Sequence, residues 1–288
     1  MLLNSIRAEW LKLTTSKSFW WTSGIVLLLI VGLSWVMGWG QQQAFDSAVE
    51  QAKNPPEIPE GVDPATLPPE ALAPTSVDPA TFALEPSMVS LGFMFATMVF
   101  MIMAVMTVTN EYNSQMMKTT LAATPNRFVV LLTKVLVYGA FAVALAAVSY
   151  IAAFYVVQIP ITTKELTANM SLTDGEFLRG LWANLLDVIL TVIIGVGMGF
   201  LVRRTAGALS ILLLWILVVE SMIGLIPKIG STLTEWMPFS LMGAWINNAG
   251  PEFDAMPWDN INYNPLYFGA ICFAILIAGG IALYRRDA

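Results

Sequence analysis

The chain has 288 residues, of which 57% are hydrophobic and 12% charged, with a mean hydropathy of +0.69 and a formal net charge of −6. A soluble domain is about one quarter charged and a disordered chain has few apolar residues, so the composition excludes both classes. The sequence has no histidine, which excludes mechanisms that need imidazole as a base or a metal ligand. Its single cysteine, Cys272, excludes an intrachain disulfide and a cysteine metal cluster.

Six apolar runs are long enough to cross a membrane as helices. A spanning helix needs about 20 mostly apolar residues, and these runs lack the alternation of membrane β-strands. The predicted spans are residues 19–37, 88–108, 135–157, 181–202, 206–226 and 266–284. We therefore predict an all-α polytopic membrane protein with six transmembrane helices in a single transmembrane domain.

The distribution of lysine and arginine predicts the orientation of these helices. When the spans alternate, ten of the 14 basic residues fall on the side of the N-terminus and four on the other side. Because cytoplasmic segments carry the excess of lysine and arginine, we predict that both termini are cytoplasmic. Most acidic residues then lie outside, so the acidic balance is a property of the external face.

The N-terminal segment, residues 1–18, is predicted to be an amphipathic helix at the membrane interface. Arg7 and Lys12 can face lipid headgroups there. A basic leader that only sets the topology is the alternative. The apolar residues at helical spacing are Leu3, Ile6, Trp10 and Leu13.

Two external segments differ in composition. Residues 40–87 hold nine of the 16 prolines and eight carboxylates against one lysine. They predict a proline-rich external loop that is either solvated or a lid over the outer opening. Residues 227–265 are apolar for a loop, and Pro238 and Gly243 interrupt any long helix. Short helices that enter the outer leaflet fit this segment.

Residues 110–127, between the second and third spans, are too polar to cross a membrane. Met117, Leu121 and Thr124 share a face at helical spacing, and Pro125 closes the segment. We predict a short helix across the cytoplasmic ends of two spans, where a soluble partner could push on it. A tight basic connector is the alternative.

This segment resembles the signature of type-2 ABC transporter permeases, a family that includes drug, antibiotic and polysaccharide exporters. The chain departs from the family at Gln115 and Met116, where members carry Gly-Thr, so the family's glycine turn is not expected there. The opening residues 6–13 are similar to the start of permeases of high-GC Gram-positive bacteria. The matching residues are Glu111, Tyr112, Thr119, Thr120, Leu121, Ala122, Pro125, Arg127 and Lys134.

The resemblance implies the membrane subunit of an ATP-driven exporter in a bacterial cytoplasmic membrane. Its substrate would be a drug, antibiotic, peptide or lipid-like molecule, moved by alternating access. The permease would pair with a second copy or a homologous permease, and two ATP-binding subunits would dock on the cytoplasmic side. Residues 1–17 would form a connecting helix and residues 227–265 external re-entrant helices. The residues expected to couple to the ATP-binding subunits are Glu111, Tyr112, Lys118, Thr119, Thr120, Leu121, Pro125 and Arg127.

The sequence contains no Gly-Lys dipeptide and therefore no phosphate-binding P-loop. ATP hydrolysis is expected in the partner subunits, with ATP and magnesium bound there. For this chain we expect no catalytic residue, cofactor, metal or nucleic-acid partner, but contact with membrane lipid.

Two carboxylates fall inside predicted spans, Asp187 and Glu220, each about six residues from the external end. A charged side chain at the bilayer centre costs about 2.5–3.5 kcal/mol on insertion scales, and less near the interface. Both acids could line an outward cavity and attract a proton or a cationic substrate group. Alternatively, they reach water or pair with Arg179 or Lys228.

Two further functions stay open. An intramembrane enzyme would use Asp187 and Glu220 as an acid–base couple. A sensor or assembly factor with a permease-like fold would signal through its external loop. The three glycines Gly195, Gly197 and Gly199 of the fourth span predict close helix packing.

Overall fold

The structure is a computed structural model that describes residues 2–54, 77–124, 126–248 and 257–285. Within these ranges every regular element is helical. Six helices are long and apolar enough to cross a membrane, which confirms the six predicted spans. They are Lys17–Lys53, Pro79–Asn113, Arg127–Val156, Gly175–Val202, Thr205–Leu225 and Ile261–Arg285. Pro125, residues 55–76 of the predicted external loop and residues 249–256 of the last external segment lie outside the described residues.

Eleven α-helices are described, and several are segments of the long helices. A π-helical turn at Trp215–Val219 joins α7 to α8, and a 3-10 turn at Ile223–Leu225 ends this fifth long helix. Further 3-10 turns are Pro79–Phe82, Pro86–Ser90, Lys164–Thr167 and Ile261–Tyr263. The helices are α1 (Leu2–Thr15), α2 (Lys17–Lys53), α3 (Leu91–Asn113), α4 (Met116–Ala123), α5 (Arg127–Val156), α6 (Gly175–Val202), α7 (Thr205–Leu214), α8 (Glu220–Met222), α9 (Gly230–Thr234), α10 (Pro238–Ile246) and α11 (Asn264–Arg285).

The bundle has two distinct ends. The α4 end holds α1, α4, the start of α5 and the last turns of α3, α6 and α11. The α10 end holds α10 and the first turns of α3, α6 and α11. The 23 residues of α3 cover about 35 Å at 1.5 Å per residue, so α3 connects the two ends.

Helix α6 lies at the centre of the bundle. It buries 72% of its most apolar stretch, against 17–50% for the other five long helices. Its predicted close packing is confirmed by its glycines. A Cβ at Gly195 would lie 2.6 Å from the Cβ of Ala104 on α3, and one at Gly197 would lie 2.8 Å from the Cα of Leu276 on α11. The missing side chains therefore let both neighbouring helices approach the α6 backbone.

The first long helix is longer than predicted. We expected a loop from residue 40, but α2 continues to Lys53. After Gly40 the added stretch contains Gln, Ala, Glu and Lys, which favour helix, and no glycine or proline up to Pro55. Gln42 also anchors it, because its Oε1 accepts hydrogen bonds from the backbone N–H groups of Thr162 (3.0 Å) and Thr163 (3.4 Å).

Helix α1 turns a polar face towards the bundle and leaves apolar residues outside. Leu3 and Trp10 are 72% and 47% exposed, whereas Glu9 is 8% exposed. Exposed apolar residues suit an interfacial helix. The expectation that Lys12 faces headgroups is wrong, because its ammonium group makes ion pairs with Glu9 and Glu111.

We predict that Gly197→Ala destabilises the protein, whereas Gly32→Ala does not. The new methyl group at position 197 meets the backbone of α11, which cannot yield, at a cost of about 1–3 kcal/mol. Gly32 has nothing within 4 Å of an added Cβ, and alanine favours helix by about 1 kcal/mol. Thermal unfolding midpoints in one detergent measure the pair. Equal shifts of the two variants would contradict the close packing of α6 and α11.

Candidate functional site

A buried ion-pair network of two lysines and two glutamates lies at the α4 end. Glu9 and Lys12 come from α1, Glu111 from α3 and Lys134 from α5. The Nζ of Lys12 lies 2.8 Å from Oε1 of both Glu9 and Glu111. The Nζ of Lys134 lies 3.0 Å from Oε2 of Glu9 and 2.8 Å from Oε1 of Glu111. The four formal charges cancel, so close opposite charges offset the cost of burying each one.

The network shifts the pKa values of Glu9 and Lys12, the two members on α1. Burial by itself raises the pKa of Glu9, but the ammonium groups of Lys134 and Lys12 outweigh it and hold the pKa below its ordinary value of 4.5. Burial by itself lowers the pKa of Lys12, but its hydrogen bonds to Glu111 and Glu9 prevail and raise the pKa above 10.5. Both groups therefore stay charged through the neutral range.

The network also connects α4 to the long helices. Lys134 donates to the backbone carbonyl of Thr107 on α3 at 3.1 Å. Lys12 donates to the hydroxyl of Thr120 on α4 at 3.3 Å. The hydroxyls of Ser5 and Thr124 lie 3.3 Å apart, which joins α1 to the end of the same segment. A displacement of α4 therefore acts on α1, α3 and α5 together.

Helix α4 presents one face to the bundle and another outward. Met117 is buried, and Leu121 packs against the same core. This agrees with the inward face predicted from the spacing. Lys118, Thr119 and Ala122 are exposed. The outward face thus offers a basic, hydroxyl-bearing surface to another molecule.

The turn before α4 forms without glycine. Gln115 adopts φ 58°, the left-handed region. This conformation costs a residue with a Cβ about 1–2 kcal/mol. The missing family glycine put a sharp turn at this position in doubt, but the structure has the turn, with Gln115 in place of glycine and with backbone strain.

The remaining coupling candidates pack within the bundle. The ring of Tyr112 lies edge-on to Phe200 and 4.9 Å beneath the guanidinium of Arg203. Arg127 donates to the carbonyl of Tyr284 at 2.9 Å, at the C-terminal end of α11, where a cation stabilises the helix dipole. Of the eight predicted coupling residues, Lys118 and Thr119 are exposed, Glu111, Tyr112, Thr120, Leu121 and Arg127 pack inside or partly inside, and Pro125 lies outside the described residues.

A cavity of about 610 Å³ lies near the α10 end, and both intramembrane acids line it. Helices α3, α6 and α10 and the α7–α8 segment form its walls. The structure therefore brings Asp187 of α6 together with Glu220 of α8, which the sequence alone could only place at similar depth.

Glu220 is fully engaged as the cap of a helix. Its Oε1 accepts hydrogen bonds from the indole N–H of Trp215 (3.0 Å) and the backbone N–H of Phe239 (3.1 Å). Its Oε2 accepts from the backbone N–H and the hydroxyl of Ser240, both at 2.7 Å. The backbone N–H groups of Phe239 and Ser240 lie in the first turn of α10, where backbone N–H groups have no carbonyl partner within the helix. Glu220 thus stabilises the N-terminal end of α10.

Arg179 stabilises the opposite end of α10. Its guanidinium donates to the carbonyls of Trp245 (2.6 Å) and Ile246 (3.2 Å) and lies over the Trp245 ring. A carboxylate at the first turn and a guanidinium at the last turn both suit the helix dipole. Arg179 is therefore committed to α10, and the suggested pairing with the intramembrane acids is wrong for this residue.

Few polar groups stabilise the side chain of Asp187. The hydroxyl of Thr97 lies 3.1 Å from Oδ2 but shares its single proton with the carbonyl of Phe93, 2.6 Å away. Among the described residues no lysine or arginine pairs with Asp187. At 8% exposure, the carboxyl group is buried beside the cavity.

Sequence reasoning missed four members of the two sites. Lys12 was expected to face headgroups and Glu9 was counted only in the charge balance, although their spacing of three residues allows a pair on one helix face. Lys134 was used only for topology and for its match to a family motif, although its place at the edge of the third apolar run signalled a buried charge. Thr97 gave no signal, because threonine is common in membrane helices.

Comparison with known proteins does not assign the chain. No protein-family model matches it, and no curated protein matches it significantly.

We predict that Glu9→Gln lowers the unfolding midpoint at neutral pH and that this deficit shrinks in acid. The depressed pKa of Glu9 contributes stability above about pH 4.5, and that contribution is lost as the pH falls through the folded-state value. The measurement is the difference between the midpoints of wild type and variant from pH 7 to pH 4. A deficit that is independent of pH would rule out the ionised network as its cause.

Glu220→Gln should lower the unfolding midpoint, at a cost of about 1–3 kcal/mol, because the new amide N–H₂ faces the two donors of Ser240. Glu165→Gln removes the same charge from an exposed turn and should leave the midpoint nearly unchanged. If both variants unfold at the wild-type temperature, Glu220 does not hold α10.

Proposed function

We propose that the chain is the membrane-spanning subunit of an ATP-driven exporter of the type-2 ABC class. In this proposal α4 is the coupling helix on which a separate ATP-binding subunit docks. The supporting observation is the connection of α4 to three other helices through Lys12 and the ion-pair network, while its other face is exposed.

The exposed face of α4 suits a docking surface. Lys118, Thr119 and Ala122 project outward while Met117 and Leu121 hold the helix against the bundle. Because α4 is packed against the long helices, a force applied to α4 would act on them directly. The coupling surface is therefore narrower than the eight-residue prediction, and the buried members support it from within.

The resemblance supplies the rest of the proposed assembly. Two permease chains, identical or homologous, would pair in a bacterial cytoplasmic membrane with two ATP-binding subunits that carry ATP and magnesium. The α4 end and both termini would face the cytoplasm. Helix α1 would serve as the connecting helix, and α9 and α10 as the external re-entrant helices. Substrate would cross by alternating access.

The alternative of an intramembrane enzyme is less well supported. An acid–base couple needs one carboxyl group able to give or take a proton from a substrate. Glu220 accepts four hydrogen bonds, one from Trp215 in the π-helical turn and three from Phe239 and Ser240 of α10. It is therefore poorly placed for that work. No observation on the described residues favours a sensor over a transporter.

We predict that Ala122→Trp abolishes docking of the proposed ATP-binding subunit. The exposed face of α4 has no room for an indole between two packed proteins, whereas the side chain makes no inward contact that folding requires. Co-expression followed by affinity purification measures binding, and ATP hydrolysis by the purified complex measures coupling.

Ala168→Trp is the matched control, since Ala168 is exposed beyond the end of α5, on the loop at the other end of the bundle. It should leave both copurification and ATP hydrolysis unchanged. If the Ala122→Trp variant still copurifies with the ATP-binding subunit and the complex still hydrolyses ATP, α4 is not the docking surface.

A further inference from the structure

The 610 Å³ cavity has a lining that is apolar but not neutral. Six methionines line it: Met37, Met88, Met94, Met98, Met101 and Met242. Methionine side chains are flexible and polarisable, and they adapt to ligands of varied shape. The rings of Phe93 and Phe239 also line the wall. The volume lies within the roughly 300–1,000 Å³ range of small-molecule sites.

Asp187 supplies the acidic group of this cavity that no described cation or helix end engages. Glu220 also lines it, but its oxygens are occupied by Trp215, Phe239 and Ser240. In the part of the chain that the structure describes, no lysine or arginine lines the cavity. An anionic ligand would therefore meet a carboxylate with no compensating cation.

A second polar group beside Asp187 also lacks a partner. Thr191 lies one helical turn further along α6 and lines the same cavity. It is 1% exposed, and its hydroxyl has no hydrogen-bond partner within the described residues. A buried hydroxyl left unpaired costs free energy that a ligand can recover. Asp187 and Thr191 thus place two polar groups with few or no partners on the α6 wall of a mostly apolar cavity.

We propose that this cavity binds a hydrophobic monovalent organic cation, with Asp187 as its counter-ion. Apolar groups of the ligand would contact the methionines and the two phenylalanine rings, which also attract cations through their faces. A calcium or magnesium ion, which takes six or more oxygen ligands, is a poorer fit, because Glu220 is committed to α10 and Trp215. The described residues also contain no group of three or more acidic, histidine or cysteine side chains that could hold a metal ion. That the bound cation is also transported cargo rests on the proposed exporter function.

The test compares two probes of one shape and opposite charge, tetraphenylphosphonium and tetraphenylborate. Equilibrium dialysis against the purified chain in detergent, with no nucleotide and no partner, measures both affinities, with empty micelles as the blank. We expect the wild type to prefer the cation by at least about tenfold. We expect Asp187→Asn to lose that preference, mainly through weaker binding of tetraphenylphosphonium.

Two further variants separate charge from shape and stability. Asp187→Glu keeps the charge and should keep most of the preference. Glu165→Gln removes an exposed acid far from the cavity lining and should bind both probes as the wild type does. Equal affinities of the two probes in the wild type would overturn the proposal whether or not Asp187→Asn folds. So would an unchanged preference in a folded Asp187→Asn variant.

The outcomes also separate this inference from the proposed function. Charge-selective binding without docking of an ATP-binding subunit on α4 would retain the cation site and refute the exporter. Docking and ATP hydrolysis without charge-selective binding would retain the exporter and refute the cation site.

Discussion

The structure depends on the neutral cluster of Glu9, Lys12, Glu111 and Lys134, because these charges hold α1 and two long helices together. Lys134 is 2% exposed, and removal of one partner from such a cluster leaves an uncompensated buried charge, which costs about 3–5 kcal/mol. The cluster therefore specifies one position for α1 against α3 and α5. Because Lys12 also holds Thr120, it sets the position of α4 as well.

Helix α3 carries this constraint to the other end of the bundle. Glu111 takes part in the ion-pair network near its last turn, and Thr97 and Met98 line the cavity about 20 Å away at 1.5 Å per residue. The glycines of α6 bring the α3 backbone into direct contact, and close-packed helices move as units rather than deform. Contacts between packed helices therefore continue from the ion-pair network beside α4 to the cavity.

The number and type of the helices were predictable because hydrocarbon demands about 20 apolar residues in each span, a local property of the chain. The roles of the individual charged residues could not be predicted in this way. Asp187 and Glu220 look equivalent in sequence, yet Glu220 caps a helix whose donors lie 19 and 20 residues further on. Glu9 meets Lys134 across 125 positions. Periodicity within one helix carries no information about such partners, and the lysines were therefore assigned only to topology.

The partners of Asp187 connect the two sites in the proposed mechanism. Asp187 belongs to α6, whereas Thr97, whose hydroxyl contacts it, belongs to α3. The proton of Thr97 is shared with Phe93, so a small shift of α3 along α6 changes how well the carboxylate is stabilised. A contact that stabilises the carboxylate favours its charged form, whereas a buried carboxyl group that loses this contact takes up a proton more readily. Movement of α4 by a docked subunit would thus alter cation affinity through the same contact that now leaves Asp187 undercompensated.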